Sequence, residues 1–207
     1  VILKIQRPGL EKKINTDLEI ILNMTKILNK RNIIPSYINP ENLVDEFKEN
    51  INKEMDFKRE LANIKKFKAN FVNNPDILAP EVFENLSTKK LLVMEEIKGV
   101  KLKNVENSND KINASYIAEL GAWSLFKQVL IDGFFHGDPH PGNIFVVDNN
   151  KIAYVDFGLM GHISQSDQDL LATIFIAVLI RNEEIIADKI LEMGIIHKKI
   201  HKRRLIL

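Results

Sequence analysis

His136-Gly-Asp138-Pro139-His140-Pro141-Gly-Asn143-Ile-Phe-Val-Val147, then Asp148-Asn-Asn, then Lys151-Ile-Ala-Tyr-Val-Asp156-Phe157-Gly158, is the stretch that decides how this chain is read. Apolar runs on either side of an Asp-Asn-Asn turn predict a β-hairpin. Two acidic centres flank that hairpin, Asp138 before it and Asp156 after it, and Asn143 stands at its entrance. Pro139 and Pro141 stiffen the approach by fixing φ, so the loop is built to hold one geometry.

Working outward from those residues, the chemistry comes first. An aspartate and a following asparagine, joined across a hairpin to Asp-Phe-Gly, have the layout of a kinase catalytic loop and its magnesium-holding D-F-G. Phosphoryl transfer asks a protein mainly for positioning and charge neutralisation. Asp138 is placed to orient an acceptor group or take its proton. Asn143 and Asp156 supply hard oxygen donors of the kind Mg²⁺ uses alongside phosphate and water. Gly137 replaces the arginine of protein kinases, so coupling to an activation-loop phosphate is not expected. A competing reading takes His136, Asp138 and His140 as a transition-metal site. The two prolines break the strand that would align them, and magnesium accounts for more of the motif. His136 is expected instead to hydrogen-bond the loop backbone, with His140 beside the substrate.

Bulk properties narrow the setting. The chain has 207 residues, 29 basic against 28 acidic, for a net charge of +1. That balance gives no general attraction to nucleic acid, and none is expected as a partner. Cysteine is absent, which excludes disulfides and thiolate metal sites. The longest apolar run, Leu170 to Ile180, is about half of the roughly 20 residues a membrane span needs. It predicts a buried helix. The chain begins at Val1 and closes on Leu207 without terminal signals, so it is expected to be part of a longer protein.

The remaining segments fit around the central stretch. Val1-Ile-Leu-Lys4-Ile-Gln-Arg-Pro8-Gly9 predicts a buried strand stopped by Pro-Gly. Lys4 has the setting of the strand lysine that pairs with nucleotide phosphates. Leu10, Ile14, Leu18, Ile21, Leu22 and Leu28 follow helical spacing, and Asn39-Pro40 reads as a cap opening a further helical region. Within Glu54-Met-Asp56-Phe-Lys-Arg-Glu60-Leu-Ala-Asn63, Asp56 and Glu60 share a helix face, where a cationic partner would offset their like charge. Glu60 is the expected partner of Lys4, with Glu54 and Asp56 as accessory acids. Ile77 to Phe83 and Lys90 to Ile97 read as short strands. The second leads to a connector at Lys98-Gly99, where backbone groups from Glu95 to Ile97 would meet an adenine edge. Helical spacing resumes from Ile117 to Ile131 and stops at Gly133. Ser164 and Ser166, then Asn182, cap two later helices.

Taken together, Lys4-Ile-Gln-Arg-Pro-Gly, Glu54-Met-Asp56-Phe-Lys-Arg-Glu60-Leu-Ala-Asn63, Phe134-Phe-His-Gly-Asp-Pro-His-Pro-Gly-Asn143 and Asp156-Phe-Gly-Leu-Met-Gly resemble the UbiB/AarF family of atypical, protein-kinase-like proteins. The resemblance covers nearly the whole chain. It implies an α+β, bilobal kinase-like fold, with residues 1–97 a partial N-lobe carrying a helical insertion and residues 98–207 a mainly helical C-lobe. It implies ATP and Mg²⁺ as cofactors, Lys4 on the α/β-phosphates, Glu60 paired with it, Glu54 and Asp56 as a Glu-x-Asp element, Asp138 as the catalytic aspartate, and Asn143 and Asp156 as metal ligands. It also implies a role in ubiquinone biosynthesis, with a protein or lipid acceptor. The setting would be the cytoplasmic face of an inner membrane, or its mitochondrial or plastid equivalent. A Lys-x-Gly-Gln element and nucleotide loop would precede Val1, and hydrophobic segments would follow Leu207. Two other readings stand beside this one: a small-molecule phosphotransferase of the aminoglycoside or choline kinase type, and a non-catalytic ATP-dependent lipid-binding scaffold.

Overall fold

The computed structural model describes residues 1–30, 44–45, 47–49, 51, 55–107, 111–148 and 150–193. Glu54 and the Asn39-Pro40 cap lie outside them. The chain packs as two compact units, one made of Val1–Ile112 with His140–Leu159, the other of Asn113–Pro139 with the chain from Met160 onward.

In the first unit, β1 (Ile2–Ile5) is followed by the long helix α1 (Leu10–Lys30) and then by α2 (Phe57–Asn70). Next come β2 (Ile77–Leu78), β3 (Leu91–Met94) and β4 (Val100–Lys101), and after the excursion through the second unit β6 (Ile144–Val147) and β7 (Lys151–Tyr154). β1 pairs antiparallel with β3, placing Lys4 opposite Leu92. The other four strands form a sheet in the order β2-β7-β6-β4, in which β2 runs parallel to β7. The hairpin expected from the sequence is β6–β7, with Val147 opposite Lys151. Its turn opens at Asp148, whose φ of 50° is one that aspartate tolerates better than most residues.

α2 owes its place to its sequence. Asp56 caps its start by accepting the Lys58 N–H at 3.0 Å. Leu61, Ile64 and Phe67, spaced by three, and then Phe71 form its buried stripe. The Phe67 ring lies 4.6 Å from Phe71, 5.2 Å from Tyr154 and 5.0 Å from Phe157, centroid to centroid. Burial of each such side chain contributes about 1.5–3 kcal/mol, so the apolar face anchors this helix against β7 and the segment after it. The exposed pairs Lys65–Glu84 and Lys68–Glu81 add little beside that.

β1 departs from expectation. It is a strand, but not a buried one: Leu3 is 57% and Ile5 67% exposed. Among the described residues it pairs with β3 alone, and no further layer covers the Leu3/Ile5 face. Strand alternation turns Ile2 and Lys4 the other way, where Lys4 is half-buried.

The second unit holds α3 (Ala114–Phe126), a π-helical turn over Lys127–Asp132, β5 (Phe134–His136), β8 (Met160–His162), α4 (Gln165–Leu179) and α5 (Glu183–Glu192). Gly133 ends the π-turn in the left-handed region at φ 57°, as the sequence suggested. Ser164 caps α4 through the Asp167 N–H, and Asn182 caps α5 through the Ile185 N–H. β5 and β8 pair antiparallel, His136 opposite Met160.

Candidate active site in the first unit

Glu60 sits in the first turn of α2, only 4% exposed. A carboxylate that deep needs a partner, since leaving it unpaired costs several kcal/mol. It has two. Lys4 Nζ lies 2.5 Å from its Oε1, and the same oxygen accepts the Phe157 N–H at 3.2 Å. Lys4 Nζ also reaches Asp156 Oδ1 at 3.4 Å. One ammonium is thus shared between a buried acid and a half-exposed one. The arrangement holds Lys4 in place while Asp156 keeps oxygen valence for other partners.

The Asp156-Phe157-Gly158 turn is itself well held. Asp156 Oδ1 accepts the Gly158 N–H at 3.2 Å, and Asn63 donates to the Phe157 carbonyl at 2.9 Å. The Phe157 ring is fully buried. Before the hairpin, the Asn143 N–H donates to the His140 carbonyl at 2.8 Å, and its carbonyl accepts the Val155 N–H at 3.1 Å. Those two bonds close the loop around Asn143 and tie it to the residue preceding Asp156.

A cavity of about 260 Å³ opens onto these groups. Lys4, Glu95, Lys101, Asn143 and Asp156 are its polar and charged lining; Ile2, Met94, Ile97, Phe145 and Val155 are among its apolar walls. Such a lining, apolar walls with a few polar groups among them, suits a planar base carrying phosphates. Met94 belongs both to the core and to the cavity wall, being 5% exposed and part of the lining. Among the described residues no three His, Asp or Glu gather into a metal cage. Two oxygen-bearing side chains beside a lysine are a donor set that fits Mg²⁺, which usually takes its remaining ligands from phosphate and water.

The sequence-derived candidates therefore divide. Lys4, Glu60 and Asp156 meet directly, and Asn143, Glu95 and Ile97 share the cavity lining with Lys4 and Asp156. Asp56 does not line it; its carboxylate caps α2 and lies 4.0 Å from Lys89. Glu54 falls outside the described residues. Asp138 belongs to the second unit, where it is exposed and its N–H donates to His136 Nδ1 at 3.2 Å. His136 thus has the backbone-bonding place expected of it, and its own backbone N–H donates to Oε1 of the buried Gln128 side chain at 2.9 Å. Gln128 comes from the π-turn, a feature no periodicity in the sequence announced. Sequence reasoning also passed over Lys101, Phe145 and Val155 in the cavity wall. Asn63 was visible as a spacing: three residues after Glu60, it shares that helix face.

Comparison with known proteins gives the chain's family and fold. Residues 1–190 match the family described as the ABC1 atypical kinase-like domain. A Clostridium pasteurianum protein described as an uncharacterized protein in the hydrogenase 1 5′ region is 39% identical over 199 residues, covering 94% of this chain and 37% of that one. The probable protein kinase UbiB of Pasteurella multocida is 33% identical over 193 residues, covering 91% of this chain and 37% of its own. This chain therefore spans little more than a third of these relatives. Among solved structures, the erythromycin complex of Rv3197 from Mycobacterium tuberculosis superposes with a TM-score of 0.71 over 96% of this chain and 50% of that one, at 22% identity. That likeness concerns the fold, which is the α+β, kinase-like one the resemblance implied. On its sequence, the chain belongs to the ABC1 atypical kinase-like family, together with proteins of the UbiB type.

Proposed function

We propose that this domain binds ATP with Mg²⁺ and works on the terminal phosphoryl group, as a kinase or an ATPase. The observation that carries the reading is Lys4 Nζ held at 2.5 Å from buried Glu60 and 3.4 Å from Asp156, with Lys4 and Asp156 both lining a cavity that also has apolar walls. In this reading Lys4 meets the α/β-phosphates while Glu60 keeps its ammonium from swinging away. Asn143 and Asp156 would hold Mg²⁺, which when bound neutralises phosphate charge. The backbone from Glu95 to Ile97 meets the adenine edge. Asp138 keeps the role its loop motif suggests, orienting the acceptor or taking its proton. The lobe boundary goes with this reading, residues 1–97 forming the phosphate-lysine lobe and 98–207 the lobe with the catalytic loop.

The finer reading concerns the whole protein. It acts in ubiquinone biosynthesis, at a membrane and on a protein or lipid acceptor; the support is the UbiB-type resemblance. No described helix is long and apolar enough to cross a membrane.

The test uses the full-length protein. Saturating Mg-ATP should raise its unfolding free energy by about 2.7 kcal/mol at a ligand concentration near 100 Kd. Asp156→Asn should lose that gain together with turnover. An Asp156→Asn protein with unaltered nucleotide binding and turnover would sink the proposal.

A further inference from the structure

Phe157 is gripped through both of its backbone groups by one helix face. Glu60 Oε1 accepts its N–H at 3.2 Å, and Asn63 Nδ2 donates to its carbonyl at 2.9 Å. The two side chains are three positions apart on α2, so they project as neighbours. The buried Phe157 ring packs edge-on against Phe67 from the same helix.

An acceptor-only carboxylate and an amide donor form a complementary pair that fits one orientation of the Asp156-Phe157-Gly158 main chain. If the segment turned over, the Phe157 carbonyl would face the Glu60 carboxylate, setting two electron-rich oxygens against each other in a site with little solvent. Specificity for one orientation thus comes from a repulsive element as well as two attractive ones. The side chain whose direction depends on that orientation is Asp156, which sits one residue upstream and 3.4 Å from Lys4.

We propose that Asn63 is a positioning residue: with Glu60 it locks the Phe157 backbone, and so aims the Asp156 carboxylate at the place where it receives Mg²⁺. This rests on the kinase-like reading above. Asn63 is not one of the residues lining the cavity; it acts through Phe157.

The test is made in the full-length protein with Asn63→Asp, which keeps the shape and removes the donor, and with Asn63→Ala, which removes the donor without setting a charge against the carbonyl. Mg²⁺ titrations of ATP binding and turnover are read beside thermal melts. Each variant should weaken the apparent Mg²⁺ affinity about tenfold, the cost of one lost hydrogen bond at a buried acceptor, while magnesium-free nucleotide binding stays within about twofold. A lower melting temperature with an unmoved Mg²⁺ dependence would make Asn63 an ordinary structural contact and overturn the inference. Asp156→Asn in the same assay separates the two levels. If it abolishes the Mg²⁺ dependence and the Asn63 variants leave it alone, only the positioning inference fails. If Asp156→Asn also leaves it alone, the kinase-like reading itself fails.

Discussion

Lys4 and Glu60 are 56 positions apart in the chain and 2.5 Å apart from Nζ to Oε1. The intervening residues include α1, so strand and helix meet across a large insertion. Glu60 is almost wholly buried, while the Lys4 side chain is 27% exposed, so the two ends of the pair are not equivalent. Removing the lysine strands a buried charge; removing the carboxylate leaves an ammonium that water can still reach.

Lys4→Met should destabilise the protein by about 1–3 kcal/mol, below the figure for a fully enclosed pair because solvent already reaches Lys4. Combining it with Glu60→Gln should restore much of the loss, since an amide can still accept the Phe157 N–H without carrying a charge. Denaturant unfolding of the four proteins of the cycle measures this. Additive losses would show that the two side chains are not coupled.

Asp56 presents a choice between a structural and a charge role. As the N-cap of α2 it accepts the Lys58 N–H, so Asp56→Ala should cost about 1 kcal/mol. Asp56→Asn caps nearly as well and should be close to neutral in stability. Should Mg²⁺ or nucleotide affinity drop in Asp56→Asn with stability intact, the charge has a second role that the described contacts do not account for.

Two glycines should fail for different reasons. A Cβ on Gly99 would stand 2.4 Å from the Val146 carbonyl oxygen, where strand β6 leaves no room. Gly99→Ala should cost about 1–3 kcal/mol through backbone displacement. Gly9 has open space around it but a φ of 76°, so Gly9→Ala should cost about 1 kcal/mol of conformational strain. Gly9→Asn should recover part of that loss and Gly99→Asn none. Thermal melts distinguish these outcomes, each kcal/mol moving the midpoint by about 2–4 °C in a chain of this size.

Phe157 joins core and site. Phe157→Ala should cost about 3–5 kcal/mol, because it empties a fully buried volume beside Phe67. Phe157→Leu should cost about 1–2 kcal/mol. If turnover under folded conditions falls in Phe157→Leu by no more than stability accounts for, the ring serves packing alone.

Local pattern was legible where one chain segment contains all the information. The Asp148 turn between apolar runs specified the β6–β7 hairpin, Ser164 and Asn182 marked two helix starts, and Gly133 marked a stop, each through chemistry acting over a few residues. Lys4, Glu60, Asn143 and Asp156 were recognisable as types at motif spacing. Burial was less so: an apolar Val-Ile-Leu run reads as core, yet β1 leaves Leu3 and Ile5 exposed because a strand's burial depends on what packs over it.

By itself the sequence determined the hairpin, two of the helix caps and the acids and amides of phosphoryl chemistry, because propensity and hydrogen-bonding inventory are local properties. Tertiary structure alone decided how Glu60, the acid expected from the sequence, meets Lys4 and why Asp56 does not. Asp56 and Glu60 share a helix with the same charge, but one faces the Lys58 amide and the other lies under Phe157, where desolvation makes a lysine partner necessary. It also decided that Asn63 and Glu60 grip both backbone groups of a single residue, since that contact spans more than ninety positions and no local pattern records it.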